Sequence, residues 1–158
     1  MPTVRAAALS DLEFIVDSNA RIAEETEHRV LDRALLVPGV RTLLSDPGKG
    51  RYFIAEESGR PLGQLMYTTE WSDWRNGDFW WIQSVYVRLE ARRRGVFSLL
   101  YRHLERLAVA TAGVCGIRLY MELHNKTALA TYTRLGMIDS GYQVLEVDFR
   151  GPVDRHEK

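Results

Sequence analysis

The chain has 158 residues, of which 46% are apolar and 27% charged, and its 21 basic and 21 acidic side chains leave a formal net charge of zero. That length suits one domain with a full core, and a neutral chain has no global field toward nucleic acid or a membrane surface, so any anion site must come from a local cluster. The lone Cys115 excludes an internal disulfide, as expected in a reducing cytoplasm, and neither a signal peptide nor a run of the ~20 apolar residues that span a membrane is legible.

In chain order, Thr3-Val4-Arg5 reads as a short strand. Ser10 is the expected N-cap of a first helix, with Glu13 as its capping-box partner, and Leu12, Ile15, Val16, Ala20 and Ile22 keep helical spacing. A second helix is expected over Asp32 to Leu44, interrupted or displaced at Pro38-Gly39. Strands at Tyr52–Glu56 and Leu62–Thr69 flank a turn at Ser58-Gly59-Arg60-Pro61, and Asn76-Gly77 marks the next hairpin, leading into a strand from Trp80 to Val87. A helix from Val96 to about Ala112 follows, then a strand at Ile117–Leu123. Asn125 caps a short helix, Lys126 to Leu135, that Gly136 ends; a last strand is expected at Tyr142–Phe149. The order β-α-α-β-β-β-α-β-α-β implies a mixed sheet in an α/β or α+β layered fold. One domain is expected over 1–150, with 151–158 as a flexible tail.

The most informative stretch joins the strand ending at Val87 to the helix beginning at Val96 through Arg92-Arg93-Arg94-Gly95. A strand, a basic glycine turn and a helix start direct backbone N–H groups at a phosphate, because the first N–H groups of a helix lack internal partners and the helix dipole favours negative charge there. This predicts a site for a phosphate-bearing cofactor. Three neighbouring arginines also suit a plain solvated surface, and the glycine and the helix start are what tip the reading toward binding.

Two segments resemble the GNAT superfamily of acetyl-CoA-dependent N-acetyltransferases. Arg92-Arg93-Arg94-Gly95-Val96-Phe97 is similar to the family's R/Q-x-x-G-x-G/A turn. Asn125-Lys126-Thr127-Ala128, Tyr132 and Leu135-Gly136-Met137 are similar to its N-x-x-A-x-x-x-Y-x-x-x-G-F segment, with Met137 in place of phenylalanine. The segment Glu70 to Gly77 also resembles a group of small bacterial members. The resemblance covers about Pro2 to Phe149. It implies a mixed, mostly antiparallel central sheet with helices on both faces, acetyl-CoA as co-substrate, and direct transfer of acetyl to a primary amine of a small molecule or peptide. One position departs from the pattern: Phe97 stands where the family has glycine or alanine, so its ring must point away or crowd the cofactor.

The resemblance also implies roles for single residues. The backbone of Arg93, Arg94, Gly95, Val96, Phe97 and Ser98 would face the pyrophosphate, with Arg92 or Arg94 adding charge. The pantetheine arm would pair with Val85-Tyr86-Val87, and a main-chain N–H near Val85 would meet the thioester oxygen. Tyr132 is the expected general acid; Asn125 bonds the cofactor arm or simply caps its helix. Glu70, Glu25, Glu27 and Glu122 are candidates for the general base, with Glu25 and Glu27 near the end of the first helix, where the family builds its acceptor site. Trp71 and the other tryptophans either pack in the fold or at a homodimer contact, or line the acceptor pocket.

The histidines have no metal-ligand spacing, and Cys115 reads as structural. Two alternatives remain at this stage. A catalytically weak or inactive acyl-CoA-binding module of the same fold is favoured by Phe97. A nucleic-acid-binding protein would use the arginine turn with the tryptophans, against which stand the neutral chain and the lack of any further basic stripe. Neither a nucleic-acid nor a membrane partner is expected.

Overall fold

The computed structural model describes residues 1–121 and 124–149, which fall into two compact units, Met1–Tyr120 and the chain from Met121 onward. The expected tail at 151–158, and Glu122 and Leu123, lie outside the described residues. The first unit contains β1 (Thr3–Ala6), α1 (Leu12–Glu27), α2 (Arg33–Ser45), β2 (Arg51–Glu57), β3 (Arg60–Ser72), β4 (Gly77–Val87), α3 (Val96–Ala110) and β5 (Val114–Leu119). Its sheet has the order β1-β2-β3-β4-β5. The first three pairings are antiparallel and β4 pairs with β5 in parallel, joined through α3, so the sheet is mixed and mostly antiparallel.

Alternation along the strands divides the core between two faces. Tyr52 and Ile54 of β2 and Met66 of β3 pack with Leu12, Ile15 and Val16 of α1 and Val40 of α2. Their neighbours Phe53 and Tyr67 point the other way, where Phe53 stacks on Tyr67, Tyr67 on Trp80, and His103 of α3 meets Phe53 edge-on. Helices thus cover both faces. Ile15, Val16, Ile54 and Leu65 are fully buried, each contributing about 1.5–3 kcal/mol.

The hairpin between β2 and β3 turns through Ser58 and Gly59, both at positive φ (52° and 75°), as a type I′ turn requires. Several boundaries differ from the sequence expectation. The first helix is not capped by Ser10: a short 3₁₀ turn, Leu9–Asp11, precedes α1, and the Asp11 carboxylate accepts from the Ala8 N–H at 2.8 Å and from Arg5 at 2.8 Å twice. Pro38 neither interrupts nor displaces α2, which runs through it; Asp32 caps this helix by accepting from the Ala34 N–H at 2.8 Å. The lost backbone bond at proline is offset by burial, since Leu36, Val37, Leu43 and Leu44 on either side join the core around Val40. The strand expected over Ile117–Leu123 begins three residues earlier, at Val114, where the parallel ladder with β4 starts, and ends at Leu119, where that ladder ends.

The second unit contains α4 (Lys126–Arg134). Asn125 caps it by accepting from the Ala128 N–H at 3.0 Å, and Gly136 follows its end at φ 89°. The last expected strand is not formed: residues 142–149 are in no strand, and Tyr142, Val144, Leu145, Val147 and Phe149 are exposed. A strand exists only by pairing, and this unit holds no other strand among the described residues.

Candidate functional site

The site is built on the second half of β4. The ladder to β5 ends at Ile82↔Leu119, while β4 continues to Val87. From Gln83 to Val87 the β5-facing edge of β4 therefore has no strand partner among the described residues, and its N–H and C=O groups on that side stand outside any ladder there. On its other side the ladder to β3 shifts register between Gln64↔Tyr86 and Met66↔Gln83, so β4 bulges at Ser84 and Val85. Ser84 has a positive φ of 49° at this bulge. A bulge re-aims backbone groups out of the ladder, as a main-chain donor for an oxyanion requires.

Beyond Val87 the chain makes the turn that starts α3. Gly95 is its N-cap at φ 77°, ψ 9°, a left-handed conformation that costs other L-residues about 1–2 kcal/mol. No side chain caps α3, so its first turn offers backbone N–H groups and the positive dipole end to an anion. The arginines differ in what holds them. Arg92 donates from Nε to the Val87 carbonyl at 3.0 Å and from Nη2 to Glu25 at 2.6 Å. Arg94 donates to Glu57 at 3.0 Å, an ion pair that holds the Glu57 carboxyl below its usual range. Arg93 makes no ion pair among the described residues. Phe97 is half-buried and sits beside Tyr101, one turn on, with ring centroids 6.2 Å apart.

Behind the bulge lies a buried polar network that sequence reasoning missed. Gln64 Nε2 donates to Asn19 Oδ1 at 2.7 Å and to the Ser84 carbonyl at 3.1 Å. Asn19 Nδ2 donates to the Tyr52 hydroxyl at 2.9 Å, and Ser84 hydrogen-bonds the same hydroxyl. Burial pushes the Tyr52 phenol up, and the bonds to Asn19 and Ser84 only partly oppose it. Gln64 Oε1 is buried and accepts no bond among the described residues. The signal was present in the sequence: Asn19 interrupts the apolar stripe of α1 and Gln64 interrupts the apolar run Leu62 to Tyr67. Burial without a partner is costly, so such residues call for a network.

The other expected site residues are dispersed. Glu70 lies on β3, roughly 20 Å along the strand from Gln64, and accepts from Arg118 at 2.8 Å. Arg118 also sits over the Phe79 ring at 3.7 Å. Glu25 is tied to Arg92, and Glu27 lies 3.7 Å from Arg29. Glu122 lies outside the described residues. The tryptophans form no single group: Trp80 is buried on Tyr67, Trp81 stacks on Tyr120 at 4.4 Å, and Trp71 and Trp74 are exposed at the hairpin. Val85 and Val87 are half-buried and Tyr86 is buried, with Arg92 over its ring at 5.8 Å. In the second unit, Asn125 does the work of a helix cap, and burial pushes the Tyr132 phenol up. No cluster of metal-ligating side chains occurs among the described residues, and no helix there is long and apolar enough to cross a membrane.

Comparison with known proteins matches this architecture. The model of the acetyltransferase (GNAT) family covers residues 12–137. A protein described as a possible acetyltransferase, from Clostridium difficile 630, is 41% identical, with a TM-score of 0.87 over 94% of this chain and 97% of its own. A GCN5-related N-acetyltransferase from Ralstonia eutropha JMP134 shares the fold at 20% identity and a TM-score of 0.73, over 93% of this chain and 99% of its own. A predicted acetyltransferase from Clostridium acetobutylicum, solved with acetyl-CoA, shares it at 19% identity and a TM-score of 0.75, over 94% of this chain and 96% of its own. A search of curated protein sequences finds no significant match.

Proposed function

The chain belongs to the GNAT acetyltransferase family, and from that premise we propose that it transfers the acetyl group of acetyl-CoA directly to a primary amine. The observation that carries the reading is the edge of β4 from Gln83 to Val87, without a strand partner among the described residues, followed by the glycine-capped start of α3. Its length and chemistry suit the donor: main-chain groups outside the ladder for an amide-bearing arm, then backbone N–H groups and Arg93 for a pyrophosphate. The Clostridium acetobutylicum protein of the same fold was solved with acetyl-CoA, which agrees with this assignment.

Bound acetyl-CoA supplies a thioester carbonyl open to attack. The amine nitrogen attacks the carbonyl carbon, the C–S bond breaks, and the sulfur leaves as a thiolate. Main-chain N–H at the Ser84–Val85 bulge stabilises the transient oxyanion. Tyr132, assigned from its place in the family's second motif, protonates the thiolate, and burial keeps it in the acid form. Asn125 caps the helix that carries it. Glu70 is compensated by Arg118, so we assign it to fixing that end of the sheet and let the amine's proton leave to water.

Calorimetric titration with acetyl-CoA, beside ATP and desulfo-CoA, tests the cofactor, and thiol release in the presence of an amine tests the transfer. Micromolar binding of acetyl-CoA and not ATP, with amine-dependent thiol release, is the expected result. Binding with no amine-dependent release would leave an acyl-CoA-binding module. No binding would overturn the proposal.

A further inference from the structure

A cavity of about 530 Å³ lies between α1, α2 and the sheet, and its lining names a class of acceptor. Its walls are aliphatic: Leu31, Leu35, Leu36, Val40, Leu43 and Met66. Its polar lining residues include Asn19 and Tyr52, whose further bonds run to Gln64 and to Ser84 at the β4 bulge. Arg29 and Asp32 are the charged residues in the described lining; Arg29 pairs with Glu27 at 3.7 Å, and Asp32 Oδ1 accepts the cap bond of α2 from the Ala34 N–H. Leu35 is 68% exposed and Val30 97%, which leaves apolar surface at this cavity for an apolar ligand to cover.

Resting on the acetyl transfer proposed above, we infer that the acceptor is a primary amine on an apolar body, of the arylalkylamine or alkylamine class, and not a polyamine or a lysine-rich peptide. The apolar body fills the aliphatic walls, and the amine reaches the Asn19–Tyr52 end that adjoins the bulge. A second positive charge buried against the aliphatic walls would lose its hydration, and Asp32, exposed and capping α2, is the one carboxylate in the described lining, which disfavours polyamines. The same apolar surroundings lower the pKa of the bound ammonium, because burial penalises its charged form. The amine therefore reaches its nucleophilic state without a dedicated carboxylate base, which accords with the engagement of Glu25 by Arg92 and of Glu70 by Arg118.

Gly39 makes the test specific. It lines the cavity and is exposed, and a Cβ built on it meets nothing within 4 Å, so a larger side chain there adds bulk beside the cavity without displacing the core. Acetylation of phenethylamine, hexylamine and spermidine is followed by thiol release, with acetyl-CoA binding measured in parallel. The expected result is a KM for phenethylamine or hexylamine at least tenfold below that for spermidine. Gly39→Phe raises that KM at least tenfold and leaves acetyl-CoA affinity and the thermal midpoint unchanged. Leu35→Glu, at an exposed position, narrows or reverses the preference toward spermidine, which guards against a folding defect in the first variant. Preference for spermidine in the wild type, no turnover of any of the three amines with acetyl-CoA bound, or indifference of the KM to both substitutions overturns the inference. Failure of the wild type to bind acetyl-CoA overturns instead the transferase reading beneath it.

Discussion

Arg92 and Glu25, 67 residues apart in sequence, form an ion pair at 2.6 Å that ties the end of α1 to the turn before α3. Arg92 thereby has part of its charge engaged within the protein, at the turn proposed to hold the pyrophosphate. The pair is more than a third exposed on both sides, so it adds little to stability. Glu25→Gln is expected to change the unfolding free energy by less than ~0.5 kcal/mol and to tighten acetyl-CoA by roughly two- to fivefold at low salt. The gain should fade in 0.5 M salt, where a Debye length of about 4 Å screens it. Calorimetry at both ionic strengths measures this, and weaker binding by the variant at low salt would mean that Glu25 positions Arg92 rather than competing for it.

Gly95 sets the direction of α3 by backbone conformation and not by packing, since a Cβ added there meets nothing within 4 Å. Gly95→Ala is expected to cost about 1–2 kcal/mol through its left-handed φ alone, lowering the thermal midpoint by some ~2–8 °C, and to weaken acetyl-CoA as the first turn rotates. Gly95→Asn should recover part of both losses, because asparagine tolerates that conformation better. Equal losses in the two variants would show that strain is not the cause.

The turn at Arg92–Gly95, the helix after it and the strand before it were legible because each rests on local signals: alternation, a glycine, an apolar stripe. Acetyltransferase membership followed from two short motifs that the family model and a 41% identical structure agree with. What sequence could not deliver was non-local. Nothing near Gln64 announces that Asn19, 45 residues earlier, will bond it, or that Ser84 will bulge against it. Glu70 looked available until Arg118, 48 residues on, was placed beside it. A proline that removes a helix bond predicts an interruption or displacement at Pro38, whereas the burial of its neighbours decides the outcome. Residues 142–149 carry strand-forming side chains, but the ladder that makes a strand is a property of its partner.

Tyr132 tests the proton inventory. Burial raises its pKa above that of an ordinary phenol, so it stays in the acid form across the neutral and moderately basic range and kcat should not decline on the basic side below about pH 10 on its account. Tyr132→Phe removes the proton and is expected to lower kcat about 100-fold, with the acetyl-CoA dissociation constant within twofold of the wild type. A fall in kcat of less than threefold would assign thiolate protonation to another group or to water.

Asp11 makes stability depend on pH. Its carboxylate is buried, and the Arg5 guanidinium bonded to it, helped by the Ala8 N–H, holds its pKa below the usual carboxylate value despite burial. A carboxyl with a depressed folded pKa stabilises the fold fully at pH values above the unfolded pKa of about 3.9 and loses that contribution as pH falls below it, through the folded value. Asp11→Asn keeps the shape and removes the charge, leaving the Arg5 guanidinium with Glu56 as its remaining acidic partner. Urea unfolding is expected to show a loss of about 2 kcal/mol at pH 7, shrinking as the wild type is taken below pH 3. A loss of equal size at both pH values would mean that hydrogen-bond geometry at the entrance of α1, and not the charge of Asp11, carries the stabilisation.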